Sequence, residues 1–263
     1  MSSFDAALAA LAWQLELGAD EAIGPAPVNR FALRRAAPSA AAAPPAAGQS
    51  PSPAFPPPSP DPGPADGGAA ALAAAARDLA GLRRALEGFE GCALKRGARR
   101  TVFADGNPAA RVMVIGEAPG RDEDMAGLPF VGRSGQLLDR MFAAIGLSRA
   151  AENPAAGLYI TNVLPWRPPQ NRDPSSDEAA MLLPFLYRHI ELADPEVVVV
   201  MGSPAARAVL GSIPGINRIR GQWQDWRGRP VLPMNHPAAL LRDGTLKRAA
   251  WADLLSLQVR LDG

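Results

Sequence analysis

Polar residues stand at the carboxyl ends of the predicted β-strands, and several of them can do chemistry. Glu117 ends the first strand, Asn162 ends the second, and His236 lies at the end of the fourth. A carboxylate can orient water, a carboxamide can both donate and accept, and an imidazole can donate to a developing anion. Because ligands bind at the carboxyl ends of parallel strands, we expect these three side chains to share one crevice.

The strands that carry these residues are continuous apolar runs. They span 110–117, 158–162, 197–202 and 229–237. Predicted helices near 134–146, 176–193 and 203–210 separate them, and a last helix spans 246–261. Unbroken apolar strands that alternate with helices indicate a parallel sheet covered on both faces. The sequence therefore predicts an α/β fold with three layers (α/β/α) and a four-stranded parallel sheet.

Composition divides the chain into three parts. Residues 36–68 are rich in Pro, Ala, Gly and Ser, which is typical of a disordered linker. Residues 4–23 space their leucines loosely enough for an amphipathic helix. We therefore expect an N-terminal helical segment at 1–35, a Pro/Ala-rich linker at 36–68 and a folded domain at 69–263 that contains every motif.

Charge and cysteine content exclude several classes of protein. The 27 basic and 26 acidic residues give a net charge of +1, so nucleic-acid affinity requires local clusters of basic residues. The single cysteine, Cys92, excludes an intramolecular disulfide framework, which suits a reducing cytoplasm. The N-terminus lacks basic residues before Arg30, contrary to a signal peptide. We expect a cytoplasmic protein with no membrane association.

Three segments, in this order, resemble the uracil-DNA glycosylase superfamily, specifically its bacterial and archaeal iron–sulfur (type 4) class. They are GEAPGRDEDMAGLPFVGRSGQLLD (116–139), ITNVLPWRPPQNRDP (160–174) and MNHPAALLR (234–242). The stretch CALKRGARRTVFADGNP (92–108) fits the same class. The resemblance implies a DNA glycosylase that flips uracil out of DNA and hydrolyses its N-glycosidic bond, which initiates base-excision repair.

The resemblance also implies roles for three residues that face the base. Phe130 matches the aromatic residue on which uracil stacks, and Asn162 matches the residue that reads its polar edge. His236 matches the donor that stabilises the departing base at O2. The other histidine, His189, lacks such a motif and is expected on a solvated helix face.

The motifs leave more than one candidate for the residue that activates water. The better-known single-domain uracil glycosylases have an aspartate that positions water in this turn, whereas this chain has Ala118 there, as the iron–sulfur class does. Glu117 is our choice, with the acidic run Asp122, Glu123 and Asp124 as the alternative. Backbone N–H groups from Ala118 to Gly120 are expected to contact the substrate, because glycine permits close approach.

Contacts to DNA are expected around the same crevice. The residues placed to bind phosphate are Ser134, Arg167, Arg172 and Ser203. The residues that match the loop filling the space left by the flipped base are Leu240, Leu241 and Arg242. An apolar wedge of this kind costs unstacking energy but keeps the base from returning.

The cofactor of the iron–sulfur class is not expected in this chain. In those relatives the four cluster cysteines match Phe89, Cys92, Trp166 and Leu182, so three of the four are absent. The three replacements are large and apolar, as expected if packing replaced the cluster. We therefore predict neither an iron–sulfur cluster nor another metal.

Two other functions remain open at this stage. One is hydrolysis of a different deaminated base, hypoxanthine or xanthine, and the other is a non-catalytic DNA-binding module. A nucleotide-binding metabolic enzyme ranks last, because the chain has neither a P-loop nor a GxGxxG fingerprint. The expected partner is uracil-containing DNA, bound by a monomer, and the N-terminal helix is a candidate docking site for a protein partner.

Overall fold

The computed structural model describes residues 68–263. The predicted N-terminal helical segment (1–35) and all but the last residue of the predicted linker (36–68) lie outside the described residues. The α-helices of the described part are α1 (Ala69–Ala75), α2 (Leu79–Gly88), α3 (Arg121–Ala126), α4 (Arg133–Ala143), α5 (Ser176–Ala193), α6 (Gly202–Leu210), α7 (Ile216–Ile219), α8 (Pro237–Arg242) and α9 (Lys247–Asp262). Short 3₁₀ helices occupy Ala93–Gly97, Pro154–Ala156, Pro169–Asn171 and Gly244–Leu246.

One mixed β-sheet runs through the described part. Its strands are β1 (Asp105–Gly106), β2 (Val112–Gly116), β3 (Leu158–Asn162), β4 (Val197–Met201), β5 (Gln224–Trp226) and β6 (Arg229–Met234). The six strands lie in the order β1-β3-β2-β4-β6-β5. Strands β3, β2, β4 and β6 are mutually parallel, whereas β1 and β5 pair antiparallel at the two edges.

The α/β class is confirmed, but the prediction of a four-stranded parallel sheet is wrong. The four predicted strands form the parallel centre, and two short edge strands make the sheet six-stranded and mixed. Strands β1 and β5 have two and three residues and are only partly buried. Such short strands give no continuous apolar run, so periodicity alone does not reveal them.

Both faces of the sheet carry an apolar core, because successive side chains of a strand point to opposite faces. Met113 and Ile115 of β2 pack into one core with residues of α1, α2, α5 and α6. Val112 and Val114 pack into the other core with residues of α4, α8 and α9. Every residue of β2, β3 and β4 is buried. The parallel strands are thus covered on both sides, which explains their unbroken apolar sequences.

His189 lies in the first core rather than on a solvated helix face. Its side chain is on α5 and is 4% exposed. The Tyr159 hydroxyl lies 2.9 Å from His189 Nε2, and Phe103 stacks on the imidazole with ring centroids 4.4 Å apart. The expectation of a solvated histidine is therefore wrong, because a hydrogen bond and two aromatic rings satisfy it inside the protein.

Phe89, Cys92, Trp166 and Leu182 belong to this same core. Trp166 is 1% exposed, and its Nε1 donates a hydrogen bond to Thr101 Oγ1 at 3.1 Å. The Phe89 ring contacts the Phe185 ring of α5 at a centroid distance of 5.5 Å. Packing of buried apolar side chains therefore holds together the segment before β1, the segment after β3 and helix α5.

We predict that Trp166→Ala strongly lowers the free energy of unfolding. Truncating a buried Trp typically costs about 3–5 kcal/mol, because a cavity remains in the core. The measurement is urea unfolding of the full chain, followed by circular dichroism. Trp251→Ala is the matched control, since Trp251 on α9 is 44% exposed. Equal losses in the two variants would contradict the buried role of Trp166.

Candidate active site

A cleft of about 690 Å³ lies at the carboxyl ends of β2, β3, β4 and β6. Ten of the residues predicted from sequence line it: Glu117, Ala118, Gly120, Phe130, Ser134, Asn162, Arg172, Ser203, His236 and Arg242. Three predicted residues do not line it: Arg167, Leu240 and Leu241. The parallel register brings the cleft residues together from distant parts of the chain. This agrees with the rule that ligands bind at the carboxyl ends of parallel strands, called the strand-end rule below.

The last residue of β2 must be glycine for this cleft to form. Gly116 pairs with Asn162 in the parallel register of β2 and β3. A Cβ atom at Gly116 would lie 2.4 Å from Asn162 Oδ1 and 2.5 Å from the Phe130 ring. Both distances are shorter than any van der Waals contact, so a larger residue would displace the amide and the aromatic ring.

Phe130 reaches the cleft through an unusual backbone conformation. Its φ is +53°, in the left-handed region that non-glycine residues rarely adopt. Gly135 on α4 is equally constrained, since a Cβ there would lie 1.7 Å from the Phe130 carbonyl oxygen. The Phe130 ring is 6% exposed and stacks against His236 with centroids 5.5 Å apart and planes inclined by 30°. The turn therefore directs an aromatic face towards the cleft wall that carries the imidazole.

Two of the three residues in the acidic run hold the backbone in place. Glu123 accepts hydrogen bonds from the N–H groups of Gly120, Val131 and Gly132 at 2.9–3.1 Å. Asp124 is 5% exposed and accepts from the Arg99 N–H at 2.8 Å. Glu117 and Glu123 both line the cleft, but the oxygens of Glu123 and Asp124 are already occupied by backbone donors.

Glu117 is half-buried at the end of β2 and lines the cleft. Burial raises the pKa of its carboxyl group above the usual 4.5; the negative charge of Asp173 adds to this rise, and Arg207 opposes it. Both neighbouring residues also line the cleft. A carboxylate with a raised pKa is a stronger proton acceptor than one in bulk water.

His236 is set up as a neutral hydrogen-bond donor. Its Nδ1 accepts a hydrogen bond from the Ala238 N–H at 3.1 Å, which assigns the proton of the neutral ring to Nε2. Burial lowers the pKa of His236 to about 4; the Arg242 charge lowers it further, and Glu123 opposes the shift. At neutral pH the ring therefore offers one N–H and carries no charge.

Asn235 lines the cleft beside His236 and was not among the predicted site residues. It is 2% exposed, and its Nδ2 has no hydrogen-bond partner among the described residues. Leaving a buried donor unsatisfied costs about 1–3 kcal/mol, so an amide here is not explained by stability. Other cleft residues that the sequence did not single out are Asn171, Asp173 and Arg207. The strand-end position of Asn235 was the available signal for it, and Asn171 and Asp173 lie within the second motif, whereas Arg207 gave no signal.

The residues predicted to contact DNA differ in exposure and in position relative to the cleft. Leu240 is 2% exposed and packs into the second core, so the prediction of a surface wedge does not fit it. Leu241, the next residue, is 41% exposed. On α8 neighbouring side chains point in different directions, and only tertiary packing decides which one is buried. Arg167 lies off the cleft and donates to Asn171 Oδ1 at 2.7 Å.

Arg172 lies on the rim and is paired with Glu178 of α5. Both terminal nitrogens of its guanidinium donate to the Glu178 carboxylate. This contact lowers the pKa of Glu178 to about 2 and raises that of Arg172. Arg172 therefore approaches a ligand as part of an ion pair, whereas Arg207 and Arg242 are exposed cleft cations.

The structure is thus an α/β protein whose cleft is lined by an aromatic ring, an amide and a neutral imidazole. Comparison with known proteins identifies the family. The sequence model of the uracil DNA glycosylase superfamily matches residues 103–255. The chain belongs to the uracil DNA glycosylase superfamily.

Individual relatives agree with this assignment. The type-4 uracil-DNA glycosylase of Thermotoga maritima is 36% identical over 167 residues, which cover 62% of this chain and 84% of the relative. That of Archaeoglobus fulgidus is 39% identical over 158 residues, covering 57% and 76% respectively. That of Sulfurisphaera tokodaii is 34% identical over 176 residues, covering 64% and 77%.

These comparisons contradict the prediction that the protein lacks a cofactor. The relatives carry the name of the type-4 class, which is the iron–sulfur class. The prediction rested on missing cysteines, and class membership points the other way.

The four matched positions do not supply the ligands of a cluster bound by four thiolates. Cys92 is a buried thiol whose pKa is raised by burial, and Phe89, Trp166 and Leu182 offer no thiolate. No group of three or more His, Cys, Asp or Glu residues suited to a metal occurs within 68–263. The residues present therefore do not fit the cofactor of the class.

We predict that neither histidine of this chain becomes charged between about pH 8 and pH 5. The pKa of His236 is lowered to about 4 and that of His189 to about 3, both chiefly by burial. The measurement is an NMR titration of the imidazole signals, of which the sequence provides two sets. In denaturant both rings should titrate near 6.5. A folded-state midpoint near 6.5 for His236 would disprove the neutral-donor assignment.

Proposed function

We propose that this protein is a uracil-DNA glycosylase that hydrolyses the N-glycosidic bond of flipped-out uracil in DNA and so initiates base-excision repair. The observation that carries the proposal is the convergence of Phe130, Asn162 and a neutral His236 on one cleft, in a chain of this superfamily. The type-4 uracil-DNA glycosylases described above match it over most of their length, which supports the same activity here.

Recognition of uracil rests on stacking and on a fixed amide. The Phe130 ring supplies the face on which the base stacks. Asn162 donates to O4 of uracil and accepts from N3–H, whereas cytosine presents a donor and an acceptor in the reverse arrangement. Asn162 is 7% exposed and lies against Gly116, so its amide has little freedom to turn. An amide held in this way rejects cytosine, because a mismatched buried pair leaves polar groups unsatisfied.

Bond cleavage rests on His236 and Glu117. As the C1′–N1 bond breaks, the base departs as an anion and the sugar becomes an oxocarbenium-like cation. The neutral His236 Nε2–H donates to O2, where the negative charge grows. The Glu117 carboxylate stabilises the cation and orients a water whose oxygen bonds to C1′, with Glu117 accepting the proton that water releases.

The DNA strand is held by groups around the cleft. Ser134 near the start of α4, Ser203 near the start of α6, and Arg242 all line it and are suited to phosphate. N–H groups near helix starts favour anions. Leu241 is the exposed apolar residue next to them and takes the wedge position. Arg167 and Arg172 add positive charge at the outer rim, where each is already bonded to a neighbouring residue.

We further propose that the protein acts as a monomer in the cytoplasm and that residues 1–35 recruit a protein partner. The single cysteine supports a reducing compartment. Within 68–263, no helix has the length and apolar character needed to span a membrane. The linker composition of residues 36–68 supports separate roles for the N-terminal segment and the domain that follows it.

The decisive experiment measures single-turnover base release by the full chain from oligonucleotides containing uracil, hypoxanthine or xanthine. We expect uracil to be released fastest. Asn162→Ala and His236→Ala should each lower the uracil rate by about 10²–10³, as expected for loss of a preorganised polar contact. The matched control is Asn217→Ala, because Asn217 is exposed on α7 and does not line the cleft.

Several outcomes would redirect the proposal. Faster release of hypoxanthine or xanthine would assign the other substrate. Binding of DNA without release of any base would assign a non-catalytic module. Near-wild-type rates in both site variants would remove the mechanism described here.

We predict that the rate of uracil release declines in acid because Glu117 must be ionised. Its pKa is raised by burial, so the carboxylate is protonated as the pH falls through a value above 4.5. The active, ionised form is therefore lost as the pH falls through this raised pKa. Single-turnover rates measured across pH should show this acidic decline in wild type. Glu117→Gln should lower the rate at all pH values and abolish the acidic decline. The same decline in the Gln variant would assign it to another titrating group.

A further inference from the structure

Arg149 lies outside the cleft but contacts the turn that presents Phe130. Its Nη1 donates a hydrogen bond to the Pro129 carbonyl at 2.9 Å, and its Nη2 donates to the Phe130 carbonyl at 2.9 Å. The planar guanidinium thus spans two successive carbonyl oxygens, a geometry that lysine cannot reproduce. Within residues 68–263, no other side chain donates hydrogen bonds to both of these oxygens.

The turn needs such support because its conformation is unfavourable. Phe130 has φ +53°, and a phenylalanine in the left-handed region persists only where its surroundings over-determine it. On the other side of the turn, Glu123 accepts from the N–H groups of Val131 and Gly132. A cation therefore holds the carbonyl groups of the turn, and an anion holds its N–H groups.

Arg149 is itself fixed by two carboxylates. Its Nε donates to Asp139 Oδ1 of α4 at 2.8 Å, and its Nη1 also donates to Asp105 Oδ2 of β1 at 2.9 Å. The Arg149 side chain is 15% exposed. The guanidinium therefore has little freedom to rotate, and it ties the Phe130 turn to a helix and to the edge strand of the sheet.

We propose that Arg149 is a positioning residue that sets the angle of the Phe130 ring and thereby controls stacking of the base. This inference rests on the proposed function for its effect on catalysis. The effect of Arg149 on the orientation of the Phe130 ring follows from its hydrogen bonds and does not depend on the reaction. Arg149 touches neither the base nor the reacting atoms, so it acts through Phe130.

The first test is a double-mutant cycle on single-turnover uracil release. Arg149→Gln should lower the rate by up to about a hundredfold, since a misplacement of about 1 Å can cost that much. Arg149→Lys keeps the charge without the fork and should be impaired as well. In a Phe130→Ala background, Arg149→Gln should cause little further loss, because the ring that it positions is absent.

The matched control is Arg188→Gln. Arg188 on α5 also donates two hydrogen bonds to a backbone carbonyl, that of Ala76, far from the cleft residues. It should lower the melting temperature without changing the rate of uracil release below that temperature. Equal losses of rate from Arg149→Gln in the wild-type and Phe130→Ala backgrounds would overturn the proposal, as would a fully active Arg149→Gln variant.

The second test does not depend on activity. Because the Phe130 ring stacks on His236, its ring current shifts the NMR signals of the His236 imidazole. Arg149→Gln should move these signals towards their positions in Phe130→Ala, while Arg188→Gln leaves them in place. Unmoved signals would overturn the positioning role even if uracil is released. If the signals move in Arg149→Gln but the wild-type protein releases no base, the positioning role is supported and the proposed function is rejected.

Discussion

The site depends on the space beside Gly116, where a side chain is missing. Two groups from other parts of the chain occupy the place that a Cβ atom would take, the Asn162 amide and the Phe130 ring. Register places Asn162 there, because β2 and β3 are parallel and end at the same level. The Phe130 turn brings the ring in from the opposite side. Glycine at the end of a central strand thus allows an amide and an aromatic face to lie within reach of one ligand.

Burial shifts the pKa values of Glu117 and His236, two titratable groups of the cleft, in opposite directions. It raises the pKa of Glu117 and lowers that of His236, because the charged form is disfavoured in both cases. Glu117 becomes a better proton acceptor and His236 becomes an uncharged donor. The backbone N–H of Ala238 then decides which ring nitrogen carries the proton. In the proposed mechanism, the same desolvation therefore prepares a base and a leaving-group donor in one cleft.

Apolar packing around Trp166 occupies the positions that match the cluster cysteines of the type-4 class. The relatives belong to the iron–sulfur class, whereas three of the four matched positions here are apolar and buried. Trp166 is bonded to Thr101, and Phe89 packs against Phe185 of α5. Packing therefore connects the segments that lead into β1, leave β3 and form α5, and α5 also carries Glu178, the partner of Arg172 at the rim.

The sequence by itself determined the centre of the fold and most of the cleft. Unbroken apolar strands indicate a sheet buried on both faces, and the strand-end rule together with the three motifs brings Glu117, Asn162 and His236 to one edge. These inferences succeed because strand periodicity and motif order are local properties of the chain. The two edge strands escaped prediction because they are too short and polar to form an apolar run.

Only the tertiary structure decided how individual side chains are used. Leu240 is buried and Leu241 is exposed, Glu123 lines the cleft but accepts hydrogen bonds from backbone N–H groups, and Asn235 joins the site. Arg149 reaches the Phe130 turn from a loop that carries no motif. Each of these outcomes depends on contacts between residues distant in sequence. Burial and hydrogen bonding are properties of the packed chain, so residue type and spacing do not specify them.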